Sequence, residues 1–385
     1  MKPAVSICIP TYQAEAFITQ TLACAQSQTY PNIRILISVD ECSDRTAEIC
    51  QTLAASDPRI EVFVQTRRHG WAGNVNFLLT QIRTPLFFFL WHDDLIGPHF
   101  IESLASALAE NPAALSAYGN TRQFGASNHL TVGKSFMGPA AERLIEVLAS
   151  PTLHGLARCM MRQEILSMGL GIPQHEGRDY YENNTAYFLK ILVSGPVVHV
   201  PEAEYQRRNG TGTSVVDGWL RLSLDKALDG FRHNARICLE MFRSNLRTPE
   251  EVEAVTFCLM LFLMTRLRIF ERRVGAETRI EAGEVAKAFE GGEERDVLYL
   301  FTDEQRPHVA RAQATLVHHE AEYWIRMQQW ERAIAVLPKV AKLDPTYSPI
   351  RGAIRRILAG SGMPRDAGPI GDLLQLLQDS KKVAT

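Results

Sequence analysis

Leu86-Phe87-Phe88-Phe89-Leu90-Trp91-His92-Asp93-Asp94-Leu95-Ile96-Gly97-Pro98 decides how this chain folds. Its first six residues form an uninterrupted apolar run, far short of the ~20 that cross a bilayer. That length suits a strand buried on both faces. His92, Asp93 and Asp94 follow at once. Two adjacent carboxylates therefore stand at the carboxyl end of a central strand, where open α/β sheets bind ligands. Gly97 breaks the chain, Pro98 suits the first turn of a helix, and Phe100, Ile101, Leu104 and Leu108 continue at helical spacing. Carboxylates so placed can hold a hard divalent cation and, through it, phosphate oxygens. The same two residues could equally cap a helix; the sequence upstream shifts the balance.

Upstream, Val5, Ile7 and Ile9 alternate with smaller residues as a first strand, and Phe17, Ile18, Thr21, Leu22 and Ala25 mark one face of a helix. A second strand spans Ile33 to Val39 and ends at Asp40. Ser43 and Asp44 suit the start of a helix reaching about Ala55. A third strand, Ile60 to Gln65, and a helix from Ala72 to Ile82 lead into the Leu86 strand. Strand and helix thus alternate four times, which predicts a mostly parallel sheet covered on both faces. A dinucleotide-binding fold needs glycines in its first strand-to-helix turn. Here that turn reads Ile9-Pro10-Thr11-Tyr12-Gln13-Ala14-Glu15 and has none, which argues against a nicotinamide or flavin enzyme; no P-loop signature occurs either.

The 385 residues are enough for two or three domains. Hydrophobic content of 46% and charged content of 22% are those of a globular protein. The net charge of −2 gives no support for nucleic-acid binding. The seven cysteines are odd in number and lack metal-ligand spacing, which points to reduced thiols. The amino terminus does not read as a signal peptide, and the most apolar later run, Phe257 to Met264, is too short to span a membrane. These features suggest a cytoplasmic protein, with a loose hold on the inner face of a membrane as the alternative.

Val5 to Leu22, V-S-I-C-I-P-T-Y-Q-A-E-A-F-I-T-Q-T-L, and Ser27 to Ile49, S-Q-T-Y-P-N-I-R-I-L-I-S-V-D-E-C-S-D-R-T-A-E-I, resemble the opening of family 2 glycosyltransferases of the GT-A fold. Gly70 and Asn76 match a glycine and an asparagine that precede the family's acidic motif. The resemblance is close to about residue 110 and looser to about 215; the last 170 residues lie outside it. It implies an α/β, Rossmann-like domain that moves a sugar from a nucleotide-diphospho-sugar, UDP-linked by preference, to an acceptor hydroxyl with inversion. A glycan, a lipid-linked saccharide or a protein would be the acceptor, in bacterial surface polysaccharide, lipopolysaccharide or glycoprotein assembly.

Carried over by position, the resemblance gives Pro10, Thr11, Tyr12 and Asp40 to the donor's base and ribose. A tyrosine ring can stack on a base, worth ~1–3 kcal/mol. The acidic motif departs from the family's, with Trp91 where a first Asp often stands. Asp94 is expected to bind Mn²⁺ or Mg²⁺ against the donor phosphates, as Lewis acid and template, and Asp93 to meet the ribose or a metal-bound water. Asn76 joins the donor-binding set. Arg207, in a Tyr-x-Arg run before the glycine-rich residues Gly210 to Ser214, is expected to close on the diphosphate by charge-assisted hydrogen bonds. His154 to Met168 resembles the strand and helix lining the sugar pocket. Where the family has its general base, this chain has Asn183 and Asn184, which cannot take a proton. Glu182 is the first candidate base and Asp179 the second.

From Trp219 onward the pattern is helical. Thr248-Pro249-Glu250-Glu251 reads as a helix start, Gly275 to Gly292 as a polar break, and Ala321, Trp324, Ala333, Leu337 and Pro345 fit one tetratricopeptide-like hairpin at about 314–347. The expected domains are 1–215, the glycosyltransferase domain, and 216–385, a helical region whose Tyr323, Trp324 and Trp330 read as exposed aromatics for a protein partner. The rival reading is a catalytically weak nucleotide-sugar-binding protein that docks partners through those helices.

Overall fold

The computed structural model describes residues 2–149, 153–175, 180, 182–210, 221–273, 300–364 and 368–383. In chain order the first elements are β1 (Val5–Thr11), α1 (Ile18–Gln26), β2 (Ile33–Val39), α2 (Thr46–Ser56), β3 (Ile60–Val64), α3 (Gly70–Gln81), β4 (Leu86–Phe89), β5 (Leu95–Ile96) and α4 (Phe100–Glu110). There follow β6 (Ser116–Gly125), β7 (His129–Thr131), α5 (Ala140–Ala149), β8 (Met160–Arg162), α6 (Asn184–Ser194) and β9 (Val197–Asn209). One nine-stranded sheet runs β3-β2-β1-β4-β8-β6-β9-β5, with β7 beside β6. The pairs among β1 to β4 are parallel, as the strand–helix alternation predicts. Beyond β4 the sheet is mixed: β8 runs antiparallel to β4 and β6, while β6 and β9 are parallel.

β1 is buried along its whole length because it has a parallel strand on each side and helices on its faces. Ile7, Ile9, Ile35, Ile37, Phe88 and Leu90 form one core with Ile18 and Leu22 of α1 and Leu104 and Leu108 of α4. Burying each such side chain contributes roughly 1.5–3 kcal/mol. β4 leaves its ladder early. The Leu90 N–H still donates to the Cys8 carbonyl at 3.0 Å, but the Trp91 N–H donates to the Tyr205 hydroxyl at 3.2 Å. That switch from backbone to side-chain partner turns His92 to Asp94 out of the sheet. All seven cysteines are free thiols.

The helical elements are α7 (Leu224–Asn245), α8 (Pro249–Arg273), α9 (Arg306–Arg326), α10 (Trp330–Leu343), α11 (Ile350–Ser361) and α12 (Gly368–Val383). α8 starts as its sequence predicts: the Glu251 N–H donates to Thr248 Oγ1 at 3.2 Å, and the Glu251 carboxylate accepts the Arg247 N–H at 2.8 Å, close to a capping box. The chain divides into one unit of Met1–Leu144 and Thr152–Met241 and another of Ile145–Pro151 and Phe242–Thr385. The boundary expected near residue 215 lies outside the described residues. Within the second unit, α9 and α10 pack on each other, with Ala321, Ala333 and Leu337 buried. Trp324 and Trp330 are not the exposed aromatics expected from sequence. Both are half-buried and packed on the helical core; Trp330 lies so close over Gly360 that a β-carbon there would overlap its ring. Among the described residues no helix is long and apolar enough to cross a membrane.

Candidate functional site

Asp40 ends β2 and is 1% exposed. Its Oδ1 accepts the N–H groups of Glu41 and His69 at 3.1 and 2.8 Å, and its Oδ2 accepts that of Gly70 at 3.0 Å. Arg68 Nε stands 3.5 Å from Oδ2. Asp40 therefore anchors the start of α3, where unpaired N–H groups and the positive end of the helix dipole favour a carboxylate. Gly70 sits there at φ 73°, a conformation only glycine adopts without strain. The Arg68 guanidinium lies 3.2 Å from the Tyr12 ring centroid. Tyr12, Arg68 and Asp40 thus form one group at the carboxyl ends of β1 and β2. Thr11 is buried and its hydroxyl donates to the Ile9 carbonyl at 3.1 Å. Asn74 Nδ2 ties the Thr11 and Ser38 carbonyls together, at 3.3 and 3.0 Å. Pro10 and Thr11 are the last, buried residues of β1, paired with Ser38 and Val39, and Tyr12 just beyond them is half-buried.

Next to this group lie the paired acids, and the fold treats them differently. Asp94 is 2% exposed. Its Oδ2 accepts the Tyr205 hydroxyl at 2.8 Å and its Oδ1 the Arg208 N–H at 2.8 Å, with Arg158 Nη2 at 3.7 Å. Burial pushes its carboxyl up to about 6, although Arg158 and the two hydrogen bonds pull the other way; desolvation of a carboxylate this deep outweighs one guanidinium at that distance. Asp93 is half-buried at the same strand end, and its carbonyl accepts Arg208 Nε at 2.9 Å. Arg158 lies 4.8 Å over the Tyr205 ring. Arg207 is half-buried beside it. Burial and the Arg158 charge lower the Arg207 pKa, while Asp94 and Asp93 oppose them. Trp91 and Trp71 close one side, with ring centroids 6.0 Å apart.

Asp94 is poorly placed to hold a divalent cation by itself: it is buried, each oxygen already accepts a protein donor, and Arg158 stands 3.7 Å from Oδ2. Among the described residues no three His, Cys, Asp or Glu side chains gather as a metal centre. A cation carried in by a diphosphate is a different case. Mg²⁺ commonly takes one or two protein carboxylates and fills its shell with phosphate oxygens and water. Asp93, at the strand end with its side chain partly exposed, fits that lesser demand.

Asn76, expected at the donor, is engaged elsewhere. Its Nδ2 donates to the Ile172 carbonyl at 2.8 Å and its Oδ1 accepts the Ile172 N–H at 2.8 Å. This two-way lock holds Gly171 to His175 along α3. Gln174 reaches the His69 carbonyl at 3.4 Å, and Asn183 reaches the Pro173 carbonyl at 3.4 Å. The start of α6 is thereby connected, through residues 173–174, to the group around Asp40. Glu182 stands there, 4% exposed, at φ 59°. A non-glycine residue held in that region costs on the order of 1 kcal/mol or more and persists where its surroundings dictate it. Here the Glu182 carbonyl accepts Asn234 Nδ2 at 2.8 Å and the Thr185 N–H at 2.9 Å. Asp179 lies outside the described residues. The residues that sequence reading missed are Arg68, Arg158 and Tyr205 as a partner of Asp94. Arg67-Arg68-His69 just before Gly70 was a usable signal for the first; Arg158 and Tyr205 lie in segments the resemblance singles out, but nothing in those segments points to Asp94.

Residues 6–167 match the family described as glycosyl transferase family 2. Similar proteins include an uncharacterized glycosyltransferase of Haemophilus influenzae, 27% identical over 31% of this chain and 47% of its own. Another is the Escherichia coli UDP-Glc:alpha-D-GlcNAc-diphosphoundecaprenol beta-1,3-glucosyltransferase WfgD, 32% identical over 35% of this chain and 51% of its own. The matched stretch thus spans about half of these relatives. Among solved structures, Staphylococcus aureus TarS 1–349 in complex with UDP-GlcNAc superposes with a TM-score of 0.54 at 14% identity, covering 92% of each chain. The match over residues 6–167, the named glycosyltransferases among its relatives and the shared GT-A-like sheet identify this stretch as a family 2 glycosyltransferase domain, in a chain whose described residues from 221 onward are helical or connect helices.

Proposed function

We propose that the chain transfers a sugar from a nucleotide-diphospho-sugar, UDP-linked by preference, to an acceptor hydroxyl with inversion at the anomeric carbon. The observations that carry this reading are Arg68 packed on Tyr12 just beyond β1, and Arg207 of β9 beside Asp93, just beyond β4, in a family 2 domain. UDP is favoured because TarS holds UDP-GlcNAc. A lipid-linked acceptor is favoured by the name of the Escherichia coli relative, whose acceptor is a diphosphoundecaprenol saccharide.

In this reading Tyr12 takes the base on its open face and Arg68 stiffens it. Asp40 acts by holding the start of α3 rather than by touching the donor. Arg207 closes on the diphosphate, where a guanidinium fork suits phosphate oxygens. A Mn²⁺ or Mg²⁺ ion arriving with the donor would be held by Asp93 rather than Asp94, and would neutralise charge on the leaving diphosphate. Glu182 takes the proton from the acceptor hydroxyl as its oxygen bonds to the anomeric carbon. The bond from that carbon to the diphosphate oxygen breaks, and nucleoside diphosphate leaves. Asp179 is the alternative base.

The test is a panel of nucleotide sugars with released nucleoside diphosphate as the readout. Glu182→Gln should keep donor affinity and lose transfer by ~10²-fold or more, the usual cost of losing a general base. Asp93→Asn should lose the response of turnover to added Mn²⁺. Release from no member of the panel by the wild-type chain, with or without an undecaprenyl-diphosphate saccharide, would sink the enzyme reading. Full activity in Glu182→Gln with none in Asp179→Asn would move the base to Asp179.

A further inference from the structure

Within the helical unit, α8, α9 and α11 line a cavity of about 280 Å³. Its inner part holds a buried ion pair: Arg268 Nη1 meets both oxygens of Glu271 at 2.9 and 3.0 Å, the two side chains being 3% and 4% exposed. Its mouth is formed by three exposed arginines, Arg272, Arg326 and Arg356. Arg326 Nη1 donates to the Arg272 carbonyl at 3.4 Å, and its guanidinium lies 5.6 Å from the Tyr323 ring centroid. Arg356 pairs with Glu322. Among the described residues, the lining holds four guanidiniums and two carboxylates, Glu271 and Glu322.

Such an excess is costly in a concave site, where the one buried guanidinium, Arg268, and those crowded at the mouth repel one another. An ion-pair network built only for stability would tend toward balance. The imbalance is felt by His319, which lines the same cavity. Burial and the charges of Arg272, His318 and Arg268 push it down to about 4. Among the described lining residues, the negative groups are Glu271 and Glu322. An anion with several oxygens would relieve this field, and arginine forks match tetrahedral phosphate oxygens in pairs. The volume is several times a water's share of ~30 Å³, enough for a phosphoryl group and part of what carries it.

We propose that this cavity is a phosphate-binding site, in which Arg272, Arg326 and Arg356 receive a phosphoryl group carried by a soluble phosphate ester or a lipid headgroup. The site lies among helices that supply none of the proposed donor-binding residues, so it stands or falls separately from the transferase reading.

The experiment uses the full chain with ring-labelled histidine and follows the His319 resonance by NMR as pH is varied. Inorganic phosphate or pyrophosphate at millimolar concentration should raise the His319 midpoint from about 4 to about 5 or higher, because a nearby anion favours the charged imidazole. The Arg272→Gln, Arg326→Gln double variant changes only exposed side chains. It should weaken phosphate binding at least ~10-fold by calorimetry, through the loss of charge-assisted hydrogen bonds. Flotation with phosphatidylglycerol vesicles separates the sources. Retention that the double variant loses assigns the phosphate to a lipid headgroup, and no retention beside a clear phosphate response assigns it to a soluble ester. An unmoved His319 midpoint, or equal phosphate affinity in wild type and double variant, would overturn the proposal and leave a self-contained charge network.

Discussion

Asp94 has exchanged water for a tyrosine hydroxyl, a backbone N–H and a distant guanidinium, and its carboxyl is pushed up to about 6 as a result. Its unfolded value is near 3.9. A carboxyl whose folded pKa is raised gives stability that is fully present below the unfolded value and is lost as pH rises through the folded one. Wild type should therefore lose on the order of 2–3 kcal/mol between about pH 4 and pH 7 from this residue alone. Asp94→Asn lacks that titration. Its denaturant stability should be flatter over the same window, and its deficit against wild type should be largest near pH 4 and shrink toward pH 7. Parallel pH profiles for the two proteins would show that Asp94 is not a buried, titrating acid. The sequence marked the Asp93–Asp94 pair as the place to look, because an apolar strand ending in two acids is legible. It could not tell the two apart. Both are adjacent carboxylates, and only the arrival of Tyr205 and Arg208 from a strand more than a hundred residues away buries one of them. Asn76 was opaque for the same reason: its partner, the backbone of Ile172, leaves no trace in side-chain pattern.

β9 shows what an element can hide. In sequence, Val197 to Val200 alone reads as a strand, because Pro201, Glu202 and Glu204 then interrupt the apolar pattern. In the structure β9 continues to Asn209. Val200 lies opposite Gly119 and Glu204 opposite Asn120, so Pro201 to Ala203 bulge out of the ladder. A proline without an N–H is tolerated at such a bulge. The bulge restores pairing with β6 and delivers Tyr205, Arg207 and Arg208 to the site from a rigid strand. Gly119 makes room for it: a β-carbon there would overlap the Ala203 backbone carbonyl. Gly119→Ala should cost at least the ~1–3 kcal/mol typical of overpacking, measured by denaturant unfolding. UDP affinity should fall with it, because the displaced strand carries Arg207. Unchanged stability would mean that the bulge shifts freely and does not fix the site. The parallel half of the sheet was legible because each strand and helix there is complete in local sequence; β5, β7 and β8, two or three residues long, offered no period to read.

At the scale of the molecule, two hydrophobic cores stand out among the described residues, one in each unit. One gathers on β1, β2 and β4; the other joins Ala314, Ala321, Ile334, Leu337, Ile354 and Leu373 across α9 to α12. Units with their own cores can unfold as separate steps, so a single two-state transition is not expected. Leu337 is fully buried in the helical core. Leu337→Ala should lower the stability of that unit by about 2–5 kcal/mol, the range for truncating a packed leucine. A ligand stabilises only the unit that binds it, by about 2.7 kcal/mol at a hundredfold excess over Kd. Saturating UDP should therefore raise the unfolding transition of the sheet unit and leave that of the helical unit in place. Leu337→Ala should do the reverse, leaving UDP affinity within about twofold of wild type, less than ~0.5 kcal/mol. Hydrogen exchange under increasing denaturant reads both at once, because amides of β1 and of α10 report their own units. Should UDP protect α10 as strongly as β1, or Leu337→Ala weaken UDP binding tenfold, the two cores are energetically one. The helical unit would then have to be counted as part of the donor site's support.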